Sequence, residues 1–389
     1  MIWTPRPLPG APAPDAVALA TRGRQAFVVL GDGQVFHSLD AGERWTPLGA
    51  APGAAPTAFL ATPGALLLAT GSGLFHAPDG RPWRPAVGIP EGTLVLALSP
   101  AGRRASRRVV AGTLRRGAFR SDDGGASWAP ANDGLPLDGT GLEVHALTNA
   151  PHGLYAAHTF GINRSADGGR HWAPYGAGLP MTLSRADLAT DDRAAYAGLA
   201  GQLFATCRDD AWAHVAGGAP LRLLGGAAGM LFAFGREGAL LGSADGGASW
   251  EAAGEGLPGP PDAVAAVGRA VGTGLVAAMG AEGVWHLPRV RLRPSVVPVE
   301  ARIDGARPNP FSGWADVAFT LSAPSDVVLT VHDVLDHEVA RVAEGPFAAG
   351  RHRVRFEPRS LPAGLYRCRL RAGAVSHALP LVHTGPTTP

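Results

Sequence analysis

Four aspartates recur along the chain, each with a serine two residues before it, a glycine two residues after it and a tryptophan five residues after it. The set is Ser38, Asp40, Gly42, Trp45, Ser121, Asp123, Gly125, Trp128, Ser165, Asp167, Gly169, Trp172, Ser243, Asp245, Gly247 and Trp250. A carboxylate in this spacing can accept hydrogen bonds from backbone N–H groups of its own turn, and a serine hydroxyl does the same more weakly. Glycine supplies the positive φ that closes a turn, and tryptophan buries a large ring. We therefore predict a structural hairpin device rather than a catalytic site.

Other titratable residues add little chemistry. His145, His152 and His158 lie close together in sequence but lack the spacing of zinc ligands. The acidic pair Asp122-Asp123 resembles a calcium loop only in composition, since it belongs to one of the turns. No phosphate-binding glycine loop precedes a predicted helix, and no serine lies in a nucleophile-elbow sequence. We predict no catalytic residue, no metal and no cofactor.

The turns belong to a longer repeat. Two degenerate copies of the same turn pattern, each one residue shorter, lie at 77–83 and 206–212 and are called worn boxes below. With them, the pattern contains six tryptophans, and consecutive ones lie 38 to 45 residues apart. Short segments of high β propensity alternate with glycine-rich turns, and in the first repeat we predict strands at 16–20, 25–30, 34–38 and 44–48. A period in this range, with four strands per repeat, is typical of propeller blades.

The pattern S-x-D-x-G-x-x-W resembles the Asp-box of BNR-repeat, sialidase-like proteins, and the single ring resembles photosystem II assembly factor-like propellers. The resemblance implies that the boxes lie on the face away from the ligand site. The sequence predicts seven segments that would form the third strand of a blade, but only six box tryptophans. The last repeat, 262–287, has no box and lacks a predicted fourth strand. The segment Trp3-Thr4-Pro5 reads like the segments that follow the boxes. We predict an all-β fold in which residues 1–287 form a seven-bladed β-propeller closed by the N-terminal strand.

A different β pattern follows a predicted linker at 288–299. In residues 300–389 we predict a small Ig-like β-sandwich with strands at 315–321, 327–333, 338–343, 350–357, 364–371 and 376–382. Its Pro308-Asn309-Pro310-Phe311 and Val331-His332-Asp333-Val334-Leu335 resemble Ig-like C-terminal modules, which include hook-cap modules and type A sorting domains of type IX secretion. Asp336 stands where those modules usually have glycine. The resemblance implies export, with the secretion machinery as a partner.

Localisation and partners follow partly from composition. The sequence contains no run of about 18 apolar residues, so no membrane span is predicted. A net charge of +2 argues against nucleic acid as a partner. The first residues lack the plan of a signal peptide, so export would require a start upstream of Met1. We expect an extracellular or outer-membrane surface protein that is monomeric.

Ligand-binding candidates are placed on the face opposite the boxes. Loops between second and third strands, and connections between blades, would present Arg115, Arg116, His158, Arg185, Arg222, Arg236 and Glu237. Further charges, Asp133 and Glu143, lie in the connections around blade 4. The longest connection, 131–141, enters that blade, so we predict binding near blades 3 to 5.

Three functions remain open. A non-enzymatic binding or scaffold propeller would hold a protein or glycan on this face. A glycoside hydrolase, sialidase-like or xyloglucanase-like, is an alternative, and so is a structural or adhesive surface protein. The sialidase resemblance implies an arginine cluster, a tyrosine activated by a glutamate, and an aspartic acid. The predicted ring contains only Tyr155, Tyr175 and Tyr196, and all three lie within predicted strands. Xyloglucanases of this type use two tandem rings, whereas only one ring is predicted here.

Overall fold

The computed structural model describes residues 2–11, 15–53, 55–79, 81–102, 107–137, 141–180, 185–191, 193–206, 211–215, 222–227, 229–235, 238–267, 274–288, 301–322, 325–358, 361–372 and 375–385. These residues form 35 strands and no α-helix. Within them, no helix has the length and apolar character needed to cross a membrane. The protein is therefore all-β, as predicted.

Seven four-stranded sheets, numbered here 1 to 7, are built from the first 28 strands of the described chain. Sheets 1 to 3 contain β2 (Ala16–Arg22), β3 (Gln25–Leu30), β4 (Gln34–Ser38), β5 (Thr46–Ala50); β6 (Pro56–Thr62), β7 (Ala65–Thr70), β8 (Gly73–Pro78), β9 (Arg84–Pro85); and β10 (Val95–Pro100), β11 (Val109–Thr113), β12 (Ala118–Ser121), β13 (Ala129–Pro130). Sheets 4 and 5 contain β14 (Val144–Ala150), β15 (Gly153–His158), β16 (Gly161–Ser165), β17 (Ala173–Pro174); and β18 (Asp187–Thr190), β19 (Ala195–Leu199), β20 (Gln202–Thr206), β21 (Trp212–His214). Sheets 6 and 7 contain β22 (Arg222–Ala227), β23 (Met230–Phe234), β24 (Leu240–Ser243), β25 (Glu251–Ala252); and β26 (Ala263–Val267), β27 (Gly274–Ala278), β28 (Val284–Leu287) with β1 (Thr4–Arg6).

Sheet 7 takes its fourth strand from the start of the chain. β1 pairs antiparallel with β28, with Thr4 opposite His286 and Arg6 opposite Val284. The first strand of each sheet contacts the first strand of the next, and β26 contacts β2. β26 consists only of alanine and valine, whose small side chains suit the crowded centre of a ring of sheets.

Each intact box links the third and fourth strands of its sheet. In all four copies the buried serine Oγ donates to the aspartate Oδ1 at 2.8–2.9 Å and accepts the N–H of the box glycine at 2.7–2.8 Å. Burial alone would raise the pKa of Asp123, but hydrogen bonds from Ser127, Ser121 and the turn backbone outweigh it and lower the pKa to about 2. The carboxylate is therefore ionised at neutral pH and holds the turn.

The box glycine also packs against the preceding sheet. Gly125 has φ +98°, and a Cβ there would overlap the side chain of Leu67 in sheet 2. Gly169 faces Val110 in sheet 3 in the same way, and Gly247 faces Leu203 in sheet 5. An intact box therefore seals the gap between two neighbouring sheets.

The last seven strands form two further sheets around their own core. The order is β29-β30-β33 in one sheet and β32-β31-β34-β35 in the other. Their bounds are β29 (Ala301–Arg307), β30 (Ala315–Leu321), β31 (Ser325–His332), β32 (Glu338–Phe347), β33 (Gly350–Phe356), β34 (Gly364–Ala372) and β35 (Val375–His383). Val317, Phe319, Val331 and Leu370 lie in the shared core. β33 contacts β21, and this contact places Ala349 in a cluster with sheet 5 residues.

Sequence reasoning missed one strand here, β29, because its glycine and alternating charges weaken the β signal. Asp336 adopts φ +66°. Its carboxylate accepts from Arg369 at 2.8 Å, which offsets part of the cost of that backbone conformation. The predicted linker, apart from Pro288, lies outside the described residues.

Candidate ligand-binding face

Arg115 and Arg116 lie in the loop between β11 and β12, at the opposite end of β12 from the box, and both are exposed. This end of the ring is called the opposite face below. Leu142 donates its backbone N–H to the Arg115 carbonyl at 3.2 Å, and Gly117 donates to the Leu142 carbonyl at 3.0 Å. The two arginines are therefore held beside the segment that leads into sheet 4.

Glu143 and Arg185 extend this charged surface to sheets 4 and 5. The Arg185 guanidinium lies 3.9 Å from Glu143 Oε1, and 68% of its side chain is exposed. An exposed pair of this kind contributes less than about 1 kcal/mol. Arg185 therefore stays available to an anionic partner.

His145 lies beneath this pair with only 5% of its side chain exposed. Its Nε2 accepts the Ala186 N–H at 3.2 Å, so the neutral ring carries its proton on Nδ1, which lies 4.0 Å from Glu143 Oε1. Burial, and then the charge of Arg185, lowers the pKa of His145. The ring thus acts as a neutral link between sheets 4 and 5.

Asp187 makes the equivalent link between sheets 5 and 6. Its Oδ2 accepts the Leu223 N–H at 3.1 Å. Burial raises the pKa of Asp187, opposed by that hydrogen bond and by the charges of Arg222 and Arg185. Arg222, the first residue of β22, is exposed beside it. Sequence reasoning missed His145 and Asp187 as positioning residues, because only the packing of adjacent sheets shows what they join.

His158 is a correction to the predicted set. It is the last residue of β15 rather than a loop residue, and it is 3% exposed. Its Nε2 donates to Asn163 Oδ1 at 2.9 Å while its Nδ1 accepts the Phe160 N–H at 3.1 Å. Both ring nitrogens are occupied, so the side chain holds the β15–β16 turn and is closed to a ligand.

Asp133 also departs from the expected face. Its carboxylate lies 3.1 Å from His171 Nε2, and His171 belongs to the box of sheet 4. The Asp133 carbonyl accepts the Trp172 N–H at 2.9 Å. The connection between β13 and β14 therefore first crosses the outer edge of sheet 4 before it reaches Glu143. Arg236 and Glu237 lie outside the described residues.

The chain matches no known family model, and no curated protein matches it. Among solved structures it is similar to YCF48 bound to D1 peptide, with a TM-score of 0.54 and 14% identity over 76% of this chain and 97% of that one. It is also similar to YCF48 from Cyanidioschyzon merolae, with a TM-score of 0.51 and 14% identity over 74% of this chain and 99% of that one. A third similar structure is that of an ancestral GH74 enzyme, with a TM-score of 0.55 and 11% identity over 98% of this chain and 63% of that one. The fold is that of a β-propeller.

The propeller's tyrosines do not reach either face. Tyr155, Tyr175 and Tyr196 are all buried. Burial, with the nearby Asp191 carboxylate, raises the pKa of Tyr196 well above its ordinary value. None of the three is therefore accessible as a nucleophile.

Acidification from pH 7.5 to 5.5 is expected to lower the thermal unfolding midpoint. Burial lowers the folded-state pKa of His145, His158, His76 and His286, whereas unfolded histidines titrate near 6.5. The unfolded chain therefore binds more protons below about pH 6.5, and stability falls as the pH drops through that value. His171 opposes this trend, because its hydrogen bond to Asp167 raises its pKa, but it is exposed to solvent. The unfolding midpoint of His158→Gln should depend less on pH than that of the wild type. A wild-type midpoint that is higher at pH 5.5 than at pH 7.5 would contradict the lowered pKa values of these histidines.

Proposed function

We propose that this protein is a non-enzymatic binding or scaffold propeller that holds an anionic segment of a protein on its opposite face. The observation that carries the proposal is the exposed group Arg115, Arg116, Arg185 and Arg222, which lies beside Glu143 and Asp187. Cationic groups at the end of a ring of sheets favour acidic ligands and accelerate their encounter. Arginine suits this task because its planar guanidinium binds carboxylates in a bidentate way.

The rigid setting of these arginines favours tight binding. The His145 and Asp187 links fix the backbone of the next sheet, at Ala186 and Leu223 respectively. A preorganised surface loses less conformational entropy when it binds a partner. The buried tyrosines leave sialidase-like hydrolysis without an accessible tyrosine nucleophile.

The remaining architecture belongs to the same proposal. Residues 1–287 are proposed as seven Asp-box blades closed by the N-terminal strand, and residues 300–389 as an Ig-like module that directs export or anchoring. YCF48 has been solved with a bound D1 peptide, which makes peptide binding by such a ring a reasonable precedent. The surface or extracellular location follows from the module's resemblance to secretion sorting domains.

The test is affinity capture from the surface and secreted fractions of the host, with the purified full chain as bait. The triple variant Arg115→Glu, Arg116→Glu, Arg185→Glu should weaken the captured interaction by about 100-fold, because reversed charges repel an acidic partner. Binding of the wild-type complex should also fall with added salt.

The matched control is Arg170→Glu, which reverses an exposed arginine in the box of sheet 4. It should leave the interaction unchanged. Partners that bind all three proteins equally would contradict the proposed face. Release of sugar from sialosides or xyloglucan by the purified protein would favour the glycosidase alternative instead.

A further inference from the structure

A cleft of about 810 Å³ opens between sheets 1 and 2, beside the worn box at 77–83. Its volume falls within the range of natural ligand sites. It lies on the outer edge of the ring, apart from the arginines of the opposite face. One wall comes from β3, β4 and β5 of sheet 1, and the other from residues 77–79 and 81–83 of sheet 2.

The cleft exists where the box is worn. In the intact boxes, glycines such as Gly125 and Gly169 press against the preceding sheet and seal the gap. The hairpin of sheet 2 is one residue shorter and lacks the Ser-x-Asp-x-Gly spacing. Instead, Arg22 of sheet 1 donates to Asp79 of sheet 2 at 3.1 Å and to the Thr62 carbonyl at 2.6 Å, which connects the two walls at a fixed spacing.

The sheet 1 wall is apolar and accessible. Leu39 and Leu48 are 63% and 44% exposed. The rings of Phe27 and His37 stack with centroids 6.5 Å apart at the base of the wall. β5 borders the cleft as a five-residue edge strand that is exposed throughout, whereas its counterparts β13 and β17 have only two residues. Exposed edge strands and aliphatic side chains together favour an extended chain.

The sheet 2 wall offers hydrogen-bond donors. Three of the four intact-box tryptophans, Trp128, Trp172 and Trp250, donate their indole N–H groups to backbone carbonyls at 2.9–3.1 Å, whereas the Nε1 of Trp45 is buried without a hydrogen-bond partner among the described residues. Trp83, at the same position of the worn box, is half-buried, and no hydrogen bond engages its Nε1 among the described residues. Arg81, also on this wall, is exposed and forms no ion pair within the described chain. An indole N–H and a guanidinium both need acceptors.

We infer that this cleft binds an extended peptide segment that carries aliphatic side chains next to an acidic residue. The aliphatic groups pack on Leu39 and Leu48, a backbone carbonyl accepts from Trp83 Nε1, and the acidic side chain pairs with Arg81. A sugar would match the donors but would leave the two exposed leucines against polar hydroxyls. The site is independent of the opposite face.

The probe is a library of random 12-residue peptides displayed on phage and selected on the full-length protein. Enriched sequences should combine aliphatic residues with Asp or Glu. The affinity of a synthetic enriched peptide should fall at least 10-fold in Leu39→Ser and in Arg81→Glu. It should fall about 3- to 10-fold in Trp83→Phe, which keeps a ring and removes only the donor.

Two controls separate this site from others. Leu335→Ser removes a leucine that is 73% exposed from the turn between β31 and β32, and Arg185→Glu alters the opposite face. Both should leave the peptide affinity unchanged. Each variant must keep the wild-type unfolding transition. A library without binders, or binders unaffected by the three cleft variants, would overturn the inference. A neutral oligosaccharide whose binding those variants abolish would overturn the peptide occupant.

Discussion

Gly134→Ala is expected to lower the free energy of unfolding by about 2–5 kcal/mol. Gly134 has φ +82°, and a Cβ would overlap the backbone carbonyl oxygen of Trp172 in the next sheet. The left-handed backbone costs alanine about 1–2 kcal/mol, and displacement of a packed backbone costs about 1–3 kcal/mol more. The Gly134 carbonyl also accepts from Asn163 at 3.0 Å, so a shift would disturb a second sheet contact. Urea unfolding followed by tryptophan fluorescence measures the change.

Gly64→Ala is the matched control for this prediction. Gly64 has a similar φ of +92°, but nothing lies within 4 Å of the added Cβ. Its cost should be limited to backbone strain, about 1–2 kcal/mol. Equal losses in the two variants would show that the close approach to Trp172 contributes nothing.

Asp245→Ala is expected to cost about 3 kcal/mol. Asp245 is 9% exposed and accepts from Ser243 Oγ at 2.8 Å, the Ser249 N–H at 2.9 Å and Ser249 Oγ at 2.5 Å. Hydrogen bonds to a charged group contribute about 1.5–3 kcal/mol each, and buried partners left without acceptors add a penalty. The loss is less than the simple sum, because the three bonds share one carboxylate and are not independent.

Two comparisons sharpen this prediction. Asp123→Ala removes the same carboxylate from a more exposed box, so about half the loss is expected. Glu251→Ala removes an exposed carboxylate just after the box of Asp245 and should change stability by less than about 0.5 kcal/mol. If Asp123→Ala proved as costly as Asp245→Ala, burial would not be the source of the difference. Thermal and urea unfolding of the four proteins would settle the order.

Much of the all-β ring was predictable because its information is local. A box places Ser, Asp, Gly and Trp within eight residues, and their hydrogen bonds close within the same turn, as at Ser121 and Asp123. Strand periodicity is equally local, so the predicted strands 25–30 and 34–38 coincide with β3 and β4. The order of strands within sheets 1 to 6 follows from such short connections.

What the sequence by itself determined, then, is the all-β class, the repeated hairpins and most strand positions, since each depends on residues a few positions apart. Only the tertiary structure decided what those residues meet in the neighbouring sheet. It buried His158, turned Asp133 toward His171, joined sheets through His145 and Asp187, and opened a cleft at the worn box. The physical reason is that contacts between sheets link residues about 40 positions apart, and no local pattern of charge or hydrophobicity specifies them.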